Sequence, residues 1–190
     1  MKNRMNIRFL KHFTVGVFLF SFVNNVNAQS LYECPVGNIT FTSNADLEII
    51  TASSDKLKGL LDLEKNTFAF NIDVTTFQGF NSDLQKEHFN ENYLESNLFP
   101  KASFSGKIID KIDPAKATQT IRAKGKMSIH GIQQERIINV DLVKKGDSFT
   151  FTSTFNVMLA DHGITIPRIV YQKISETIKL NVSGNLKMKK

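Results

Sequence analysis

Few residue types in this chain could do chemistry. Past residue 28 these are three histidines (His88, His130, His162), one cysteine (Cys34) and scattered carboxylates. His88 and Glu91 stand at i, i+3 on a predicted helix, a spacing that holds a metal when a second such pair faces it. Only one pair is present, and no histidine has zinc-type local spacing, so a solvated or locally hydrogen-bonded imidazole is expected. Ser128 and His130 are two apart on a predicted strand and share a face. A serine nucleophile also needs an oriented base and an oxyanion site, and neither has a sequence signal here. No G-x-S-x-G, P-loop or G-x-G-x-x-G run occurs. Glu87, Glu91 and Glu95 form an i, i+4 carboxylate row that reads as a solvated helix face. The expectation is a protein with no catalytic residue, no metal and no cofactor.

Composition narrows the class. The chain has 190 residues, 41% hydrophobic and 22% charged, enough for one sizeable core. A single cysteine excludes a disulfide scaffold. The net charge of +6 suggests nucleic acid, but its distribution argues otherwise. Lys2, Arg4, Arg8 and Lys11 supply four of those charges, leaving 20 basic against 18 acidic residues. No basic field remains to attract phosphates.

Residues 1–28 have the three parts of a secretory signal peptide. A basic stretch precedes an apolar run from Phe13 to Val23, and Val26-Asn27-Ala28 offers a cleavage site before Gln29. The apolar run is about half the roughly 20 residues a membrane span needs. The expectation is a periplasmic or secreted domain of residues 29–190. Glu33 stands where a lipobox needs a small residue, so Cys34 reads as a free thiol in a mobile N-terminal stretch, open to pairing with another chain.

From Gly37 onward the dominant period is two. Phe68, Phe70, Ile72 and Val74 share one face, opposite Asn71 and Asp73. Similar sets run from Ile39 through Phe41, Leu47 and Ile49, from Leu57 to Leu63, from Ala102 to Ile108, and from Ile121 to Ile129. Three more cover Ile138–Leu142, Phe149–Leu159 and Ile174–Val182. Eight or nine half-buried strands with short connections predict an antiparallel sheet. Closing it into an up-and-down barrel removes its edges. Residues 82–95 break the period, and Ser82 with Gln85 makes a capping box, so one helix is expected there. Eleven of the sixteen phenylalanines lie past residue 28. The alternation points Phe68, Phe70, Ile72, Phe151 and Phe155 inward. A barrel of this size is either filled by such side chains or holds one small ligand, and the pattern leaves both open.

Three motifs in order carry a resemblance. Glu87-His88-Phe89, Leu94-Glu95-Ser96 and Phe99-Pro100 leading to Phe104 form the first. Gly125-Lys126-Met127-Ser128-Ile129-His130-Gly131 is the second, and Asp161-His162-Gly163-Ile164 the third. Together they resemble the YceI-like lipid- and polyisoprenoid-binding proteins over roughly residues 37–186. The pattern differs in having no His-Ser element near Asn38–Asn44 and Met-Ser where Leu-Thr is commoner. The resemblance implies an all-β, eight-stranded, antiparallel lipocalin-like barrel, with the helix of about 82–95 over or beside its mouth. It implies an apolar tunnel for an isoprenoid-chain amphiphile, with Phe89, Leu94, Phe99 and Phe104 at its buried positions. His88, Asn92 and Tyr93 are the candidates for holding a polar head group. The expected partner is an isoprenoid lipid or other long-chain amphiphile and not nucleic acid; transient membrane contact and a homodimer are compatible with it. The alternative is a filled barrel that acts through its surface as a structural or stress-related interaction protein.

Overall fold

The computed structural model describes residues 31–113 and 115–189. The expected signal peptide lies outside the described residues. Eight strands follow one another around a closed antiparallel barrel, each paired with its sequence neighbour and β1 with β8. They are β1 (Leu31–Asn44), β2 (Ile49–Asp62), β3 (Thr67–Asp73), β4 (Lys101–Ile108), β5 (Thr118–Ile129), β6 (Ile132–Lys145), β7 (Ser148–Met158) and β8 (Thr177–Met188). The two long connections, after β3 and after β7, emerge at the same end. That end also carries the β1–β2 and β5–β6 turns, and it is called the upper end below.

Two ladders stop halfway up. β2 and β3 pair only from Lys58↔Asn71 down to Asp62↔Thr67. β6 and β7 pair only from Asp141↔Thr152 down to Lys145↔Ser148. Above those points the barrel is two sheets, β3–β6 and β7–β2, held apart at two seams. The first seam is bridged by the backbone pair Ser53↔Gln78 and by the Ser54 and Thr76 hydroxyls, 2.6 Å apart. The second is packed by Met127, Ile138 and Val157. The lower half keeps every ladder and is plugged by Tyr32 and Phe149, whose rings meet edge-on at 5.4 Å.

Several local expectations are corrected. The alternation from Ile39 to Ile49 is broken by a reversal: the Ala45 amide donates to the Glu48 carbonyl at 3.0 Å. Leu47 and Ile49 are therefore 67% and 60% exposed. In β2 the inward parity switches between Ser54 and Leu57 through an irregularity in the register with β1. Cys34 is not in a mobile stretch but buried in β1. Burial raises its thiol pKa, and pairing with another chain would require the barrel to open. The predicted helix is shorter: α1 (Asp83–His88) passes into a single π-helical turn, Phe89–Tyr93. Ser82 caps it by accepting from the Gln85 amide, while the Gln85 side chain accepts from Asn81 rather than Ser82. Ile174 lies in the β7–β8 loop, before β8 begins.

Glycines allow two strands to cross closely. Gly106 on β4 faces Gly125 on β5. A Cβ on Gly106 would lie 2.1 Å from the Lys124 carbonyl oxygen, and one on Gly125 2.3 Å from that of Ser105. Backbone atoms cannot swing aside, so β4 and β5 would have to separate. Gly125→Val is expected to destabilise the barrel by about 3 kcal/mol, the upper end of the overpacking range. Urea unfolding against the wild type measures this directly.

Candidate functional site

The interior is hollow, in two chambers set end to end. The inner chamber, about 140 Å³, lies above the Tyr32–Phe149 floor. Its walls are apolar except for Asn71, Ser103 and Ser153. The outer chamber, about 430 Å³, lies in the upper half where the ladders are interrupted. Ile39, Ile72, Ala102, Ile129 and Leu180 line both chambers and form the waist between them. Phe70, Phe104 and Phe155 are only half-buried although they point inward, because they face this space rather than packed neighbours.

The inward phenylalanines expected from alternation lie where that period places them. Phe68, Phe70, Ile72, Phe104, Phe151 and Phe155 line the inner chamber. Phe89 and Leu94, with His88 and Tyr93, line the outer one. Asn92 is exposed and lines neither chamber. Phe99 also lines neither: its ring sits edge-on to His130 at 4.9 Å and against Gly131, where a Cβ would be 2.5 Å away. Phe99 lies outside the chambers because the chain after the π-helical turn runs outside the barrel before entering β4.

Of the other residues of the outer chamber, Phe41 belongs to the alternating set from Ile39 and Phe89 to the first motif, whereas Phe77, Phe80, Glu48 and Lys173 had no signal in the alternation. Phe41, Phe77, Phe80 and Phe89 cluster over it, with Phe41 and Phe89 stacked at 5.3 Å. Glu48 reaches the chamber from the β1–β2 turn and accepts from the side chains of Gln85 (2.6 Å) and Asn81 (3.2 Å). Lys173 comes from the β7–β8 loop. Tyr93 carries a phenol hydroxyl that can donate, and burial raises its pKa further. Polar groups thus stand at the mouth, and the depth is almost wholly hydrocarbon. The spacing Phe77-x-x-Phe80 was visible in the sequence; the convergence of Glu48 and Lys173 depends on two distant turns.

A polar clasp outside the chambers closes the second seam. Arg136 on β6 pairs with Asp161, and the Gln134 amide donates to the Asp161 carbonyl at 2.7 Å. His130, on the β5–β6 turn, lies 2.5 Å from the Glu95 carboxylate and 3.1 Å from the His162 carbonyl oxygen. Glu95 and His130 both adopt left-handed backbone, with φ of 44° and 49°, unusual for residues with side chains. His162 is fully buried, its Nδ1 3.2 Å from the Ile132 carbonyl oxygen. The clasp thus joins the end of the helical segment, the β5–β6 turn and the start of the β7–β8 loop. Ser128 is in β5 between the chamber-lining Met127 and Ile129, and neither it nor His130 lines a chamber. The hydrolase arrangement of those two residues is therefore not formed.

A hollow up-and-down barrel with one lidded mouth defines the class. The model of the YceI-like domain matches residues 36–186, and the chain belongs to that family. No curated protein matches the sequence closely enough to count as a relative. Among solved structures it is similar to a polyisoprenoid binding domain from Saccharophagus degradans. The TM-score is 0.70 at 11% identity, covering 85% of this chain and 99% of that one. BcnA from Burkholderia cenocepacia gives 0.65 at 13% identity, covering 78% and 95%. The YceI protein of Campylobacter jejuni gives 0.53 at 15%, covering 98% and 100%. At these identities the likeness is one of fold.

The buried histidine makes stability depend on pH. Burial lowers the pKa of His162 below its usual 6.5, outweighing the Ile132 carbonyl that favours the charged form. The unfolded chain then binds a proton more readily than the native one. Its contribution is present above 6.5 and is lost as pH falls through the depressed native value. Urea unfolding between pH 7 and 5 should show stability falling with pH, and His162→Gln should flatten that slope. Equal slopes in both proteins would remove His162 as the cause.

Proposed function

We propose that this barrel is an exported, non-enzymatic carrier of a long-chain amphiphile. An isoprenoid tail lies through the outer chamber and waist into the inner one, and its polar head stays at the mouth. Two apolar chambers that share the wall residues Ile39, Ile72, Ala102, Ile129 and Leu180, with polar groups at the outer one, carry this reading. Glu48, His88, Tyr93 and Lys173 supply both hydrogen-bond donors and acceptors for a head group. The Saccharophagus degradans domain, described as polyisoprenoid binding, supports the ligand class. The signal-like pattern of residues 1–28 supports export. A barrel acting only through its outer surface gives no reason for the cavity.

The energetics suit a carrier. Each CH₂ moved from water to hydrocarbon contributes about 0.8 kcal/mol. Tens of carbons counted that way would exceed the affinity ceiling of roughly 18–21 kcal/mol. The relevant exchange is with a bilayer, which is equally apolar, so net transfer is near balance and the cargo can be both loaded and released.

The test is native mass spectrometry on protein exported from a bacterial host and purified without detergent, with the extracted ligand identified. The expected result is a mature chain beginning at Gln29 with one isoprenoid adduct. Ala102→Trp places a bulky ring at the waist, and circular dichroism checks that the variant folds. It should cut the adduct by roughly tenfold or more, the discrimination expected of a blocked apolar pocket. Phe155→Asp should do the same by putting a charge in hydrocarbon. Wild-type occupancy in both variants would overturn the tunnel assignment.

A further inference from the structure

The mouth end carries a contiguous apolar fringe. In the β7–β8 loop Ile169 is 91% exposed and Tyr171 63%. Leu47 and Ile49 flank the β1–β2 turn, and Leu84 is exposed on α1. These residues are tied to one another rather than scattered. The Leu47 amide donates to the Gln172 carbonyl at 2.9 Å. The Asn81 side chain donates to the Ile49 carbonyl at 3.0 Å, and Gln85 on α1 holds Glu48. Leu84, Glu48, Val170 and Lys173 also line the outer chamber, so the fringe borders its entrance. Single exposed apolar residues are ordinary, but a joined set at an entrance marks an interaction surface.

The chemistry of the β7–β8 loop specifies the partner. Between its two end carboxylates, Asp161 (paired with Arg136) and Glu176 (next to β8), the β7–β8 loop carries Arg168 and Lys173. In Arg168-Ile169-Val170-Tyr171-Gln172-Lys173 the cations bracket an exposed aliphatic and an exposed tyrosine. Such a segment places its aliphatic side chain below lipid head groups, its tyrosine among them and its cations at the phosphates. Asp46 and Glu48 lie on the β1–β2 turn, and Asp83, Glu87 and Glu91 on the helical segment, so any attraction for anionic lipid rests on the loop's Arg168 and Lys173.

We propose that the mouth end docks on a lipid bilayer, with the β7–β8 loop as its inserting edge and a preference for anionic head groups. The purpose of docking rests on the carrier reading: the tail then passes between membrane and chamber without crossing water. The surface itself stands on the fringe and the cations of the loop, independently of that reading.

The chain has no tryptophan, so a single substitution reports on insertion. Tyr171→Trp should give blue-shifted emission on adding phosphatidylcholine vesicles containing about 30% phosphatidylglycerol, a composition that attracts Lys and Arg. Brominated lipid should quench it. Val36→Trp, at an exposed site in the lower half of β1, should remain unquenched. In flotation with the same vesicles, Ile169→Glu should lose roughly tenfold in affinity, and vesicles without phosphatidylglycerol should bind less. Far-UV circular dichroism checks that Ile169→Glu folds, and Leu47→Glu gives a second, independent variant. No flotation of the wild type, equal quenching at positions 36 and 171, or Ile169→Glu and Leu47→Glu both floating like the wild type would overturn the docking surface. A self-associating wild type whose dimer is lost in Ile169→Glu would overturn it in favour of a second copy of this chain. Flotation with no lipid adduct in native mass spectrometry would support docking while removing the carrier reading.

Discussion

The cavity depends on two unfinished ladders. A closed eight-stranded barrel has an interior about one layer of side chains wide, and this one obeys that limit in its lower half. Above Lys58↔Asn71 and Asp141↔Thr152 the strands part. The circumference grows by whatever the seams admit, so the upper chamber is the larger although its wall residues are no smaller. A widened barrel leaves backbone groups without their usual partners, which is costly if they are buried. Substitutes are supplied on both sides: the Ser53↔Gln78 backbone pair at the first seam, and at the second the Gln134 side chain donating to the Asp161 carbonyl and the Ser153 hydroxyl to the Asn139 carbonyl.

That division of labour explains the position of the motif residues. Glu95, Phe99, His130, Gly131, Asp161 and His162 do not line the chambers. They join the helical segment, the β5–β6 turn and the β7–β8 loop outside the barrel. Their part is to hold three lid segments around an opening. The chamber walls are made by inward apolar residues, a few of them in the motifs (Phe89, Leu94, Phe104, Met127, Ile129 and Ile164) and most of them spread along the strands.

The two ends of the molecule have opposite chemistry. At the lower end Tyr32 and Phe149 fill the interior and Cys34 is packed beneath Gly37 and Gly184. At the upper end polar groups stand at the entrance of a hydrocarbon space and apolar side chains stand in solvent beside them.

The sequence determined the strands, their antiparallel order and the inward set. A period of two holds for local steric reasons and survives without knowledge of any partner. Phe68, Phe70, Ile72, Phe151 and Phe155 could be assigned to the interior on that basis alone. The motifs added the family and, with it, the barrel. Alternation failed where the backbone departs from a plain ladder. It ran through the β1–β2 reversal and so misplaced Leu47 and Ile49, and it missed the parity switch in β2. Helix signals at residues 82–95 marked the cap at Ser82 but not the π-helical turn, which opens at Phe89, the residue stacked on Phe41. Only the tertiary structure decided that the barrel is hollow, that Glu48 and Lys173 both line its outer chamber, and that Phe99 and His130 line neither chamber. Those facts depend on which ladders close and which stop, a property of strands distant in sequence that no local pattern encodes.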